Sequence, residues 1–258
     1  MAPPKSSAGS SSRGIVGWFK LFAVLIGIFY PIAYMLEQNL EKFYIFELSH
    51  LEDVSQRAIK AHNNDTRAIV SYIVNELGAK VTTKNFINHD EEWVFNNAGG
   101  AMGAMYIIHA SITEYLIIFG RYSVLPFIFG GCCCFGPELI HESLHSGSAV
   151  GTEGHSGRHT ADDYFHILTG EQWAYVPGEY EREVYPAGSV HWMRRGEVKQ
   201  YRIPEYCFAM EYARGWIPPM LFFGYADTFT STLDFYTLWR TTYVTGREMV
   251  GNLLMGKL

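Results

Sequence analysis

The chain has 258 residues, 48% of them hydrophobic and 18% charged, and carries a formal charge of −6. That acidic balance, with no clustered Lys or Arg, excludes a nucleic-acid-binding surface. The length fits one main domain behind an N-terminal segment, and the 16% aromatic content suits apolar cavities and membrane interfaces.

Residues 1–13 are rich in Ser, Pro, Ala and Gly and predict a disordered N-terminus. Residues 14–36 are apolar apart from Lys20 and predict a transmembrane helix kinked at Pro31, which at about 1.5 Å per residue reaches across a roughly 30 Å hydrocarbon core. A cleaved signal peptide is the alternative. Against it, the stretch is long for a signal core, no A-x-A site follows, and Glu37, Glu41 and Lys42 come next. Lys5, Arg13 and Lys20 place the N-terminal side in the cytosol by the positive-inside rule. Residues 37–92 read as a helical region. Leu51, Val54, Ala58 and Ala61, then Ile69, Ile73 and Leu77, recur at three- and four-residue steps, and Gly78 predicts the stop.

From Trp93 to Gly120 runs an apolar, Gly-rich block holding His109, Ser111, Glu114 and Tyr115. A carboxylate inside such a run must be paired or functional. Residues 121–147 break the pattern, contain three consecutive Cys at 132–134, and read as an atypical insertion. Adjacent thiols cannot converge on one metal ion, and Cys207 reads as a small core residue. Between Asp162 and Ala213, turns at Pro177-Gly178, Pro186 to Gly188, Arg194 to Gly196 and Pro204-Glu205 separate short runs. They predict an antiparallel barrel or sandwich, and small closed barrels hold one ligand. Residues 216–258 are aromatic runs broken by Asp227, Asp234 and Arg240. Two amphipathic helices on a membrane surface or ordinary core helices both fit.

Glu211, in CFAMEYARG, is the sharpest candidate for chemistry. Strand alternation puts it on one face with Cys207, Ala209 and Ala213, whose small side chains leave room for a ligand. A desolvated carboxyl there has a raised pKa and can donate a proton near neutrality; a surface pair with Arg214 is the competing reading. In DDYFHILTG, alternation groups Asp163 with Phe165, Ile167 and Thr169, opposite Asp162, Tyr164, His166 and Leu168. Two carboxyls from different strands can share one site with pKa values pushed apart. No metal-binding His/Cys spacing, nucleophile elbow or phosphate loop is present, so neither a metal nor a cofactor is expected. Acid–base work or plain binding in an apolar pocket remains.

Several words of the sequence carry a family resemblance: NAGGAMGAM at 97–105, HASITEYLIIFG at 109–120, GHSGRHTADDYFHILTGEQW at 154–173, MEYARGWIP at 210–218 and ADTFTSTLDFYTLWRT at 226–241. The chain resembles the fungal sterol C8 isomerases and their animal relative, the sigma non-opioid receptor, with HTADDYFHILTGEQ closer to the isomerase branch. The resemblance implies a mainly β fold with α: a cupin-like β-barrel over 93–215, an N-terminal transmembrane helix and two C-terminal membrane-associated helices over 216–258. It implies a single-pass protein of the endoplasmic reticulum membrane that moves the Δ8 double bond of fecosterol to Δ7, giving episterol, in ergosterol synthesis. Sterol and membrane lipid are the expected partners, without nucleic acid, and the receptor relative's trimer suggests a homotrimer. The alternative is a non-catalytic membrane protein binding cationic amphiphiles or sterols. Carried over by residue, Glu211 is the ligand-contacting acid, Tyr115 a pocket tyrosine, and Met105, Ile107, Ile117 and Phe119 apolar lining. The receptor's second acid falls on Phe165, two residues from Asp163 on the same strand face, so Asp163 is assigned that role; Glu114, His109 and Asp162 are given supporting roles. The 121–147 segment departs from the family pattern, as a retained intron would.

Overall fold

The computed structural model describes residues 11–96, 98–121 and 151–258, with side chains from Gly17 on. Beyond Arg121 the 121–147 segment lies outside the described residues, as do residues 1–10. Two units divide the chain, Met1–Phe43 and Tyr44–Leu258. The first consists of helix α1 (Ser11–Gln38) and a short 3-10 turn, Leu40–Phe43. Helix α1 starts at Ser11, ahead of the expected Gly14, with Pro31 inside it. Its stretch Gly17–Gln38, 22 residues, spans about 33 Å at about 1.5 Å per residue, long and apolar enough to cross a membrane.

The second unit is built on one antiparallel sheet. Its strands are β1 (Trp93–Asn96), β2 (Gly103–Ala110), β3 (Glu114–Arg121), β4 (Thr152–His155), β5 (Ala161–Tyr175), β6 (Glu183–Pro186), β7 (Val190–Met193), β8 (Gln200–Ile203) and β9 (Cys207–Gly215). The path runs β1-β2-β3-β9-β5-β8-β4, with β6 and β7 also pairing with the long β5. β2 and β3 are buried throughout, so they read as continuous apolar runs rather than as alternation. The sheet is curled, with its inner face turned towards the last two helices. No strand pairing joins β1 to β4 among the described residues. That gap is bridged by the turn after β1, where the Met102 amide donates to Thr152 Oγ1 at 2.8 Å.

Helices α2 (Leu48–His62) and α3 (Thr66–Ala79) cover the outer face. The expected helical region is broken between them: Asn63 adopts the left-handed conformation that ends α2, and Asp65 caps α3 through the Ala68 amide at 3.1 Å. Leu51, Val54, Ile69, Ile73 and Leu77 pack there against Ile108, Leu116, Ile118, Met210 and Tyr212. Gly78 lies inside α3 rather than ending it; a Cβ there would meet the His89 ring, so the glycine permits close approach and Lys80 is the cap.

Two β-bulges decide which side chains face inward. In β2 the register shifts between Ile107 and His109. His109, which strict alternation would place beside Ile107, turns outward with its partner Leu116. In β5 the shift between Ile167 and Thr169 corrects the expected grouping of Thr169 with Asp163. Thr169 instead meets Thr66 of α3, at 3.3 Å, and Gln172 turns inward. A bulge adds one residue to one strand, and that single residue reverses the facing of everything after it.

Helices α4 (Ile217–Asp227) and α5 (Phe235–Leu254), joined by a π-helical turn, Thr228–Thr232, lie against the inner side. They also leave Phe222, Tyr236, Trp239 and Leu254 exposed. The outer face is tied together by Glu114, fully buried. Its carboxylate accepts from the Ile45 amide (2.9 Å), the Phe46 amide (3.1 Å) and Tyr212 Oη (2.6 Å), and pairs with Lys257 Nζ at 2.8 Å. One side chain thus fixes the segment entering α2, strand β9 and the C-terminus. Removing one partner of such a buried pair strands the other charge, so Glu114→Ala should cost about 3–5 kcal/mol of stability, measured by denaturant unfolding; a loss under about 1 kcal/mol, the range of exposed pairs, would contradict the role.

Candidate active site

A cavity of about 270 Å³ lies between the curled inner face of the sheet and helices α4 and α5. Met105, Tyr115, Ile117, Phe119, Phe165 and Glu211 all contribute to its wall, as do Met220 and Leu221 of α4 and Thr245 and Met249 of α5. Ile107 belongs to the same inner-face apolar cluster but does not reach the wall. The wall is mostly hydrocarbon and aromatic, as small-molecule sites usually are.

Glu211 projects inward from β9. Its face-sharing neighbours Cys207, Ala209 and Ala213 are buried, and the small alanines leave the carboxyl open to the cavity, as alternation predicts. No hydrogen bond reaches this carboxyl among the described residues. Burial pushes its pKa up to about 7, because the ionised form loses its hydration without gaining a cation.

Asp163 lies beside it on β5. The register pairs Asp163 with Ala213 and Phe165 with Glu211, so the two acids are diagonal neighbours on one face, roughly 7–8 Å apart at the backbone and somewhat less at Cβ. Asp163 is 2% exposed, and its Oδ1 has no hydrogen-bond partner among the described residues. It does not itself line the cavity, whereas its cross-strand neighbour Met193 does. Burial first, then the charges of Glu211 and Asp162, hold the Asp163 carboxyl well above the usual range. Two carboxyls placed this way resist double ionisation.

Tyr115, on β3, shares this face and pairs with Ala213 across β9's other edge, its hydroxyl 3.3 Å from Thr245 Oγ1; burial raises its pKa, so the phenol stays neutral. Cys207 is buried, and burial pushes its thiol up too.

The residues given supporting roles are not brought to the cavity. Glu114 is on the outer face because it precedes inward-facing Tyr115. The bulge carries His109 outward, between the Phe46 and Phe86 rings, with Nδ1 2.8 Å from the Phe86 carbonyl. Asp162 sits on the opposite face from Asp163 and accepts from the Arg195 amide at 2.9 Å. Two cavity residues, Gln172 and His191, escape strand alternation and motif spacing. The bulge reverses the facing of Gln172, and His191 sits on a strand of only four residues. No cluster of three His, Cys, Asp or Glu is arranged to hold a metal ion among the described residues.

A model of the ERG2 and Sigma1 receptor like proteins matches residues 23–122 and 139–257. A C-8 sterol isomerase of Neurospora crassa is 65% identical over 94% of this chain and 84% of its own length. One of Pyricularia oryzae is 61% identical over 95% and 99%. The sigma non-opioid intracellular receptor 1 of Xenopus tropicalis is 32% identical over 90% and 93%. Among solved structures, an RmlC-like cupin of Shewanella frigidimarina is 12% identical and covers 50% of this chain and 89% of its own, with a TM-score of 0.34.

A carboxyl whose folded pKa lies above its unfolded value weakens the fold as pH rises between the two. For Glu211 that window runs from about 4.5 to about 7. Glu211→Gln should therefore gain in melting temperature relative to the parent across that window and hold the gain at higher pH. A constant difference between the two proteins over the whole range would contradict burial of an ionisable group.

Proposed function

The chain belongs to the family of ERG2 and Sigma1 receptor like proteins, and on that premise we propose that it is a C-8 sterol isomerase, moving a ring double bond from Δ8 to Δ7. Relatives 58–65% identical over nearly the whole chain carry that name. The observation that carries the chemistry is the pair of carboxyls on one face of adjacent strands, Glu211 on the wall of an apolar cavity and Asp163 buried beside it.

The reaction needs one proton delivered to carbon 9 of the steroid. The C8=C9 electron pair forms the new C–H bond and leaves a cation at carbon 8. Loss of a proton from carbon 7 then gives its electron pair to the C7=C8 bond, so protons and charge balance over the cycle. Glu211 and Asp163 are the acid and base. Between them they hold the one proton the first step consumes and the one negative charge the second step requires. That charge, in a water-poor cavity, also steadies the cation. The faces of Tyr115 and Phe165 add cation–π stabilisation. Met105, Ile107, Ile117 and Phe119 belong to the apolar surface against which the hydrocarbon rings pack. A protonated amine of similar shape mimics the cation and should inhibit.

The exposed aromatic faces of α4 and α5 suit a membrane surface, and α1 suits a single crossing of the endoplasmic reticulum membrane. A sterol dissolved in the bilayer is then near the cavity.

General acid or base groups contribute about 10²–10⁴-fold each. Glu211→Gln and Asp163→Asn should each lower turnover of a Δ8 sterol by at least about 10²-fold while the proteins stay folded, read as Δ7 product by mass spectrometry. Normal conversion by either variant would remove that residue from the mechanism. In the parent, activity should decline above about pH 7 as the shared proton is lost from the pair. A rate still rising through that range would refute the shared-proton assignment.

A further inference from the structure

Of the imidazoles on the cavity wall among the described residues, His191 is the one that is fully buried, and the acid–base chemistry does not use it. His191 pairs with Phe165 across β7 and β5, and Phe165 pairs with Glu211 across β5 and β9. The three therefore project from one face in a single row. Two interstrand spacings, roughly 10 Å, separate His191 from Glu211 along the backbone. A fused-ring molecule lying across this row would have its reacting carbons at one end and a substituent several bonds away at the other.

The ring of His191 is held in place. It is 1% exposed and stacks on Phe165 at 5.5 Å and on Tyr185 at 4.2 Å. Tyr185 is itself fixed by donating to Glu183 at 3.0 Å, and Glu183 is paired with Lys199 at 2.6 Å. Nδ1 of His191 lies 3.0 Å from Gln172 Oε1. A carbonyl oxygen only accepts, so Nδ1 carries the proton and Nε2 presents a lone pair. That Nε2 is buried and has no partner among the described residues. Burial, aided by the Lys199 charge, lowers the imidazole pKa to about 4, so the ring stays neutral. An unsatisfied buried acceptor is costly; on a cavity wall, a ligand's donor can satisfy it.

We propose that His191, oriented by Gln172, accepts a hydrogen bond from the 3-hydroxyl of the steroid, and so both selects hydroxylated substrates and sets the rings in register with Glu211. This rests on the sterol-isomerase reading of the same cavity. The acceptor needs a donor, so a 3-hydroxyl fits where a 3-methyl ether, lacking the proton, does not.

The test compares kcat/KM of the full-length protein, in detergent, for a 3β-hydroxy Δ8 sterol and for its 3-methyl ether and 3-deoxy counterparts. The parent should prefer the hydroxyl by about tenfold or more, the worth of one buried hydrogen bond. His191→Leu should lose that preference by slowing only the hydroxylated sterol, leaving the 3-deoxy substrate within about twofold of the parent. His191→Gln, which keeps an acceptor, should recover part of the preference. Gln172→Met leaves the ring in place but frees its tautomer, and should weaken the same preference even if His191→Leu fails to fold. No preference in the parent, an unchanged preference in Gln172→Met, or an equal loss on all substrates would overturn the assignment. Failure of the parent to convert any of the sterols would instead refute the isomerase reading.

Discussion

Two carboxyl groups set side by side in hydrocarbon resist double ionisation, and the rest of the molecule is arranged to hold them in that condition. The inner face of β9 offers only small side chains around Glu211, which keeps the cavity open in front of it. β5 lies alongside in antiparallel register and sets Asp163 one diagonal step away. Helices α4 and α5 cover this face and limit the access of water, without which the raised pKa values would fall back towards those of exposed acids. Burial of such a pair opposes folding at neutral pH, so its stabilisation must come from elsewhere. The outer face supplies it, with an apolar layer under α2 and α3 and the Glu114 network that ties the chain's later end to its first strands.

The two acids buried without cations and the acid buried with one illustrate a division of labour between faces. Glu114 has two amides, a phenol and an ammonium group around it, and it joins segments far apart in the chain. Among the described residues, Glu211 and Asp163 have none of these. The same kind of group is ion-paired on one side of the sheet and unpaired among the described residues on the other, with a raised pKa, because of what surrounds it, and a difference of one residue in strand position, Glu114 against Tyr115, decides the side.

Much of this was legible in the sequence. The long apolar segment at the N-terminus, the turn-rich β region and the helical ending follow from composition, turn residues and periodicity. The placement of Glu211 among small residues follows from simple alternation, as does that of Asp163 beside Phe165. What alternation could not reveal lies beyond the bulges. Thr169, grouped with Asp163 by alternation, faces out, His109 turns outward and Gln172 faces in, because an extra residue in a ladder leaves no mark in hydrophobic pattern. β2 and β3 show little alternation, since both of their faces are buried. Glu114 was legible as a carboxylate needing partners, but not which ones, because those partners come from residues about 70 positions earlier and 140 positions later in the chain.

The central claim is that a protein carboxyl, having exchanged with solvent, delivers the proton to carbon 9. It is tested most directly by one turnover of a Δ8 sterol with protein equilibrated in heavy water. The Δ7 product should carry a single deuterium, located at carbon 9. A Δ7 product free of deuterium would mean that the hydrogen moves within the steroid itself, and the carboxyl pair would then have no part in the transfer.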